Sequence, residues 1–146
     1  MSMIKILIAD DHPIIAEGIR NALATDTSIE VVGIVNNGEL AIQILKETSI
    51  DILILDMEMP VMNGLECIEN IKALNLDVKI IVFSMYQEAS LAKKLIDLGV
   101  QGYVLKTLEM DEFKLAIKRV NEGKEYYDSN LTKQDCSEKC VIRRFK

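Results

Sequence analysis

The sequence predicts an α/β fold, a doubly wound parallel sheet assembled from five β-α units. Two observations carry this. Short apolar runs alternate with helical patterns from Ile4 to Gly123, the order that gives a parallel sheet with right-handed crossovers and helices on both faces. The run ILIL before Asp56 is unbroken, as a central parallel strand covered on both faces requires.

The elements follow in order. Ile4–Ala9 (IKILIA) is rich in β-branched residues and stops abruptly at Asp10-Asp11. Pro13 suits the first turn of a helix, with Asp11 or His12 before it. Ile14, Ile15, Gly18, Ile19, Ala22 and Leu23 then recur at helical spacing. Glu30–Val35 is the second strand, and Asn37 caps a helix that buries Leu40, Ala41, Ile44 and Leu45. Ile52–Asp56 is the third strand. Met57–Gly64 is a loop, marked by Pro60 and Asn63-Gly64, and a helix from Leu65 to Leu74 follows. Lys79–Ser84 is the fourth strand. Glu88–Leu98 is a helix stopped by Gly99, and Gly102–Leu105 is a short fifth strand. Thr107 caps a last helix over Leu108–Glu122, which Gly123 ends. Five such units fit the flavodoxin-like strand order 2-1-3-4-5.

The 146 residues suit one domain, and 49% apolar residues are enough to build its core. A domain spanning 1–123 carries eleven Lys/Arg against nineteen Asp/Glu, whereas the polar stretch 124–146 carries six against four. That shift marks a linker or tail. The acidic balance argues against a nucleic-acid surface spread over the domain. No apolar run reaches the ~18–20 residues of a membrane span, and the start, MSMIKILIADD, lacks the basic region and cleavage site of a signal peptide. A cytoplasmic protein without membrane attachment is expected. The three cysteines fit a reducing compartment. Cys67 reads as apolar filler, and Cys136 and Cys140 as plain thiols rather than a metal pair, since His12 is the single histidine.

In an open parallel sheet, ligands bind outside the carboxyl ends of the strands. Here those ends are Asp10-Asp11, Asp56, Ser84 and Lys106. Three clustered carboxylates repel one another unless a cation joins them. A hard divalent ion is the natural partner, Mg²⁺ with Mn²⁺ as the alternative, because such an ion also takes phosphate oxygens as ligands. With Lys106 opposite, the rim suits phosphoryl transfer. Asp56 is the candidate nucleophile, and Ser84 and Lys106 are the candidate phosphate contacts. Each residue alone reads as a cap, a turn or a solvated charge; four successive strand ends carrying this set together do not.

The motifs ILIADDHP, ILILDMEMPVMNG, IIVFS and GYVLKT, with the pattern DxxMPxxxG around Asp56, resemble the receiver domain of two-component response regulators from about Met3 to Gly123. The resemblance implies that Asp56 is the phosphoacceptor. It implies that Asp11, Asp56 and the backbone carbonyl of Glu58 ligate Mg²⁺, with Asp10 acting through metal-bound water. It also implies a switch in which Ser84 moves toward the phosphoryl group and Tyr103 turns inward. The implied partners are a cognate sensor histidine kinase and, on phosphorylation, a second copy of the chain. Such a domain is a signalling switch rather than an enzyme, since it catalyses only its own phosphorylation and dephosphorylation.

The opening DDHPIIAEGIRNAL and the segment YYDSNLTK look like the subgroup whose receiver is followed by a LuxR-type helix-turn-helix domain. No such domain is expected in residues 124–146, so transcriptional output and DNA contact are expected of a longer form and not of this chain. Met85 stands where many receivers carry a small residue, and Glu58 and Tyr86 flank the pocket. Three rival readings fit less well. A haloacid-dehalogenase-like phosphatase wants a second Asp where Glu58 stands. A pseudo-receiver would lack site residues that are present here. A nucleotide-binding flavodoxin-like protein wants a Gly-rich loop where DDHP stands.

Overall fold

The computed structural model describes residues 3–85, 89–106 and 109–127. The elements among them are β1 (Ile4–Ala9), α1 (Pro13–Leu23), β2 (Ile29–Val35), α2 (Gly38–Glu47), β3 (Ile52–Leu55) and α3 (Gly64–Ala73). They continue with β4 (Lys79–Ser84), α4 (Ala89–Asp97), β5 (Gly102–Leu105), α5 (Met110–Asn121) and β6 (Tyr126–Tyr127). The sheet runs in the order β2-β1-β3-β4-β5-β6, and every neighbouring pair is parallel. The expected order 2-1-3-4-5 is present, with a sixth strand added at its edge.

Alternating side chains of each strand feed two separate cores. Leu7, Leu53, Leu55, Ile80, Val82 and Tyr103 pack on the face covered by α2, α3 and α4. Ile6, Ile8, Ile52, Ile54, Phe83 and Val104 pack on the face covered by α1 and α5. Both neighbours of every central-strand residue are therefore buried, so ILIL can carry no polar residue until it leaves the sheet at Asp56.

Local chemistry sets the helix ends. Asn37 Oδ1 accepts the Leu40 N–H at 2.9 Å, as the sequence predicts. Asn63 and Glu66 form a reciprocal capping box at α3, which starts that helix at Gly64, inside the stretch read as loop. His12, not Asp11, is the residue before α1, and its side chain makes no cap, because the ring is engaged elsewhere. Gly99 and Gly123 follow α4 and α5 at φ +96° and +93°, the left-handed backbone that ends a helix. Thr107, the expected cap of α5, lies outside the described residues; Glu109 precedes that helix.

Strand β6 was not expected, since it falls in the stretch read as linker. The Tyr126 N–H donates to the Gln101 carbonyl at 3.0 Å. Tyr127 lies opposite Tyr103, is buried, and its hydroxyl donates to the Val100 carbonyl at 3.1 Å. Cys67 is buried in the core on the α2–α4 face, and that burial pushes its thiol up to about 12; it is apolar filler. Cys136 and Cys140 lie outside the described residues.

Candidate functional site

The sheet register brings the predicted residues together. The Asp56 N–H donates to the Ala9 carbonyl at 2.9 Å, so Asp10 and Asp56 leave adjacent strands side by side. The Lys106 N–H donates to the Ser84 carbonyl at 2.8 Å, which fixes the second pair. Asp10, Asp56 and Ser84 are the buried polar residues among those described. The Lys106 side chain is only 2% exposed. Its Nζ lies 5.6 Å from the centroid of the Phe83 ring, reaching 3.1 Å from Asp10 Oδ2 and 3.4 Å from Asp56 Oδ2. These are ion-pair distances off the hydrogen-bonding direction: both Oδ2 atoms are buried without a hydrogen-bond donor. Glu58 is exposed and meets the site through its N–H, which donates to Asp56 Oδ1 at 3.2 Å.

His12 completes the cluster, and sequence reasoning missed it as a site residue. Its N–H and its ring Nδ1 each lie 2.8 Å from Asp10 Oδ1. The same Nδ1 is 3.4 Å from Asp11 Oδ1 and 3.4 Å from Asp56 Oδ2. The signal was its place directly after an acid pair at a strand end; as a lone exposed histidine it read as the start of a helix.

The charges here are unevenly held. Burial pushes Asp56 up to about 6, and the neighbouring Asp10 carboxylate adds to the rise, against the pull of the Glu58 N–H and Lys106. Burial also disfavours the Asp10 anion, but the His12 N–H and ring and the Lys106 ammonium outweigh it, so Asp10 is held below its ordinary value. The bond to Asp10 raises His12. One carboxylate of the buried pair is thus stabilised at the expense of the other.

The loop after β3 is held close against the site. The Gly64 N–H donates to the Met57 carbonyl at 3.1 Å, and a Cβ on Gly64 would lie 2.7 Å from the Asp56 carbonyl oxygen and from the Met57 Cα. Nothing larger than glycine fits, which explains the last residue of DxxMPxxxG. The Met62 N–H donates to the Pro60 carbonyl at 2.7 Å across Val61, whose φ is +67°. That is a γ-turn of the strained kind, in a β-branched residue.

An oxygen-rich donor set with two unsatisfied buried carboxylate oxygens fits a hard divalent cation. Asp10, Asp11, His12 and Asp56 each offer one ligand atom within 4.8 Å of the others. Met85 is exposed, and Tyr103 is fully buried with the α2–α4 core; Tyr86 lies outside the described residues. A surface cleft lined by Lys46, Thr48, Ser49 and Asp77 lies elsewhere, and its charged residues are exposed.

Residues 6–118 match the family described as the response regulator receiver domain. The chain belongs to that family. It is 35% identical over 132 residues to "Response regulator UvrY" of Escherichia coli K12, covering 90% of this chain and 61% of that protein. The chain thus spans about three fifths of the length of this curated relative. The isolated receiver domain of RcsB from Salmonella enterica serovar Typhimurium, with the phosphomimetic BeF₃⁻, superposes with a TM-score of 0.83 at 28% identity, covering 90% of this chain and 98% of that one. A structure of two RcsB dimers bound to two parallel DNAs superposes with a TM-score of 0.85 at 28% identity, covering 92% of this chain and 68% of that one. The receiver assignment sets aside the phosphatase and nucleotide-binding readings. No described helix is long and apolar enough to cross a membrane.

Proposed function

We propose that this receiver accepts a phosphoryl group on Asp56 from the phosphohistidine of a sensor histidine kinase, in a reaction that needs Mg²⁺ or, as the alternative, Mn²⁺. The observation that carries the reading is the convergence on one rim of two buried carboxylates with unsatisfied oxygens and a buried lysine within ion-pair distance of both. A carboxylate oxygen of Asp56 attacks phosphorus; the new P–O bond forms as the P–N bond to the donor imidazole breaks, and the imidazole keeps the electron pair and takes up a proton. The Lys106 ammonium pairs with the phosphoryl oxygens, and the Ser84 hydroxyl donates to another. Asp11, Asp56 and the Glu58 carbonyl would hold the cation, with Asp10 acting through water bound to it, and the cation would supply positive charge against the carboxylates and against the charge that develops on the phosphoryl group.

The phosphoryl charge then biases a two-state element, with Ser84 drawn to the site and Tyr103 held inward. A phosphorylation-dependent homodimer and a transcriptional output through a helix-turn-helix domain of a longer form would follow. The domain unit is the 1–123 read from the sequence extended through β6 at Tyr126–Tyr127, with 128–146 serving as linker; the chain itself binds no DNA, and the protein is cytoplasmic. As a switch it turns over nothing but its own phosphoryl group.

The test is ¹⁹F NMR with beryllofluoride. A bound resonance that requires both Mg²⁺ and Asp56, together with amide shifts at Ser84 and Tyr103, is expected. Binding that persists in Asp56→Asn would refute the reading.

A further inference from the structure

We infer that β6 is a working part of the switch: docked on the outer side of β5, Tyr127 keeps Tyr103 turned inward, so phosphorylation of Asp56 and docking of Tyr126–Tyr127 favour each other. The inference rests on the switch proposed above and extends it to the chain that leaves the domain. Without β6, β5 would be the edge of the sheet. With it, Tyr127 lies opposite Tyr103 in the parallel register. Paired residues of adjacent parallel strands project from the same face of a sheet, and both tyrosines belong to the core on the α2–α4 face. They are 0% and 1% exposed, Tyr103 and Tyr127 respectively. Tyr103 has β4 on one flank, where Val82 is its partner, and β6 on the other. To swing out of the core its ring must turn toward the outer edge of β5, and Tyr127 fills that edge. An outward Tyr103 and a docked Tyr127 thus exclude each other, because a close-packed core does not hold both.

The contacts of β6 fasten it to the segments around β5. The Tyr127 hydroxyl donates to the carbonyl of Val100, in the turn after α4, at 3.1 Å. The Tyr126 N–H donates to the carbonyl of Gln101, just before β5, at 3.0 Å. The Tyr126 hydroxyl donates to Glu112 Oε2, in the first turn of α5, at 3.1 Å. Gly102 keeps the approach close, since a Cβ there would lie 3.3 Å from the Tyr126 carbonyl oxygen. The other end of β5 reaches the site, where the Lys106 N–H donates to the Ser84 carbonyl at 2.8 Å. Strand β5 is four residues long and buried throughout. A shift of Ser84 or Lys106 toward a phosphoryl group therefore moves a short, tightly packed rod whose far end carries β6. A strand of two residues is also a weak clasp, of the kind that opens locally without unfolding the domain.

The experiment uses the full chain and beryllofluoride with Mg²⁺. Hydrogen exchange at the Tyr126 amide reports docking, with the amide of Ile29, on the opposite edge strand, as the reference. Affinity for beryllofluoride is measured in the native chain, in Tyr127→Phe, which keeps the ring and loses the bond to Val100, and in Tyr126→Pro, which removes the N–H that β6 donates to Gln101. Leu23→Val, a loss of core volume in α1, controls for stability alone. Beryllofluoride is expected to slow exchange at Tyr126 by at least about fivefold relative to Ile29, and, because coupling is reciprocal, Tyr126→Pro is expected to weaken beryllofluoride binding by a similar factor. Tyr127→Phe weakens it less, and Leu23→Val binds as the native chain does. Exchange at Tyr126 indifferent to bound beryllofluoride, or native affinity in Tyr126→Pro, would overturn this inference alone. An equal loss of affinity in Leu23→Val and Tyr126→Pro would do the same. Absence of any beryllofluoride binding that depends on Asp56 would overturn it together with the proposed function.

Discussion

Replacing Asp56 by Asn is predicted to stabilise the domain while abolishing its proposed chemistry. Asp56 is 4% exposed, and burial, with Asp10 beside it, raises its carboxyl from 3.8 to about 6. A rise of that size is a penalty of about 3 kcal/mol on the ionised folded form. The folded carboxyl holds its proton more tightly than the unfolded one. Its contribution is therefore intact below about pH 4, falls as pH rises, and is lost above about pH 6. The amide of the variant carries no charge to bury. In EDTA at pH 8 the variant gains about 1–3 kcal/mol, the lower end allowing for weakened pairing with Lys106. With a urea slope near 2 kcal/mol per molar, the unfolding midpoint rises by about 0.5–1.5 M. Near pH 4 the gap closes to under about 1 kcal/mol. Urea titrations followed by far-ultraviolet circular dichroism at both pH values measure it. A variant no more stable than the native chain at pH 8, or a gap indifferent to pH, would refute the charge balance described here.

Three further outcomes follow from packing. Gly64→Ala forces a methyl to within 2.7 Å of the Asp56 carbonyl oxygen, so a loss of about 1–3 kcal/mol is expected in the same titration. Gly18→Ala, in α1 with open space around its Cα, serves as the opposite case, with a gain of about 0.5–1 kcal/mol visible as a higher melting temperature. Tyr127→Ala empties a buried position opposite Tyr103 and is expected to cost about 3–5 kcal/mol; a loss below about 1 kcal/mol, well under that range, would show that β6 adds nothing to the folded unit.

The sheet was legible because its signals are repeated. Each central strand is an apolar run that ends where a carboxylate, hydroxyl or lysine leaves the core, so Asp10, Asp56, Ser84 and Lys106 announced themselves by position. Features that rest on a single contact were harder to read. Strand β6 is two tyrosines long, too short for any period, and its place depends on the Gln101 carbonyl presented by a distant segment. The Asn63–Glu66 box was written in the sequence but was overshadowed by the stronger turn signal of Asn63-Gly64. The γ-turn at Val61 runs against the preference of a β-branched residue and could come only from tertiary context. His12 was hidden because its role depends on a ring rotation toward Asp10 that no spacing rule encodes.

The most direct test of the central claim is intact-mass spectrometry after incubation with acetyl phosphate. A single adduct of about 80 Da is expected, the mass of one HPO₃ group on Asp56, formed with Mg²⁺, absent in EDTA and absent from Asp56→Asn. An equal adduct on Asp56→Asn, or none on a folded native chain supplied with Mg²⁺, would contradict it.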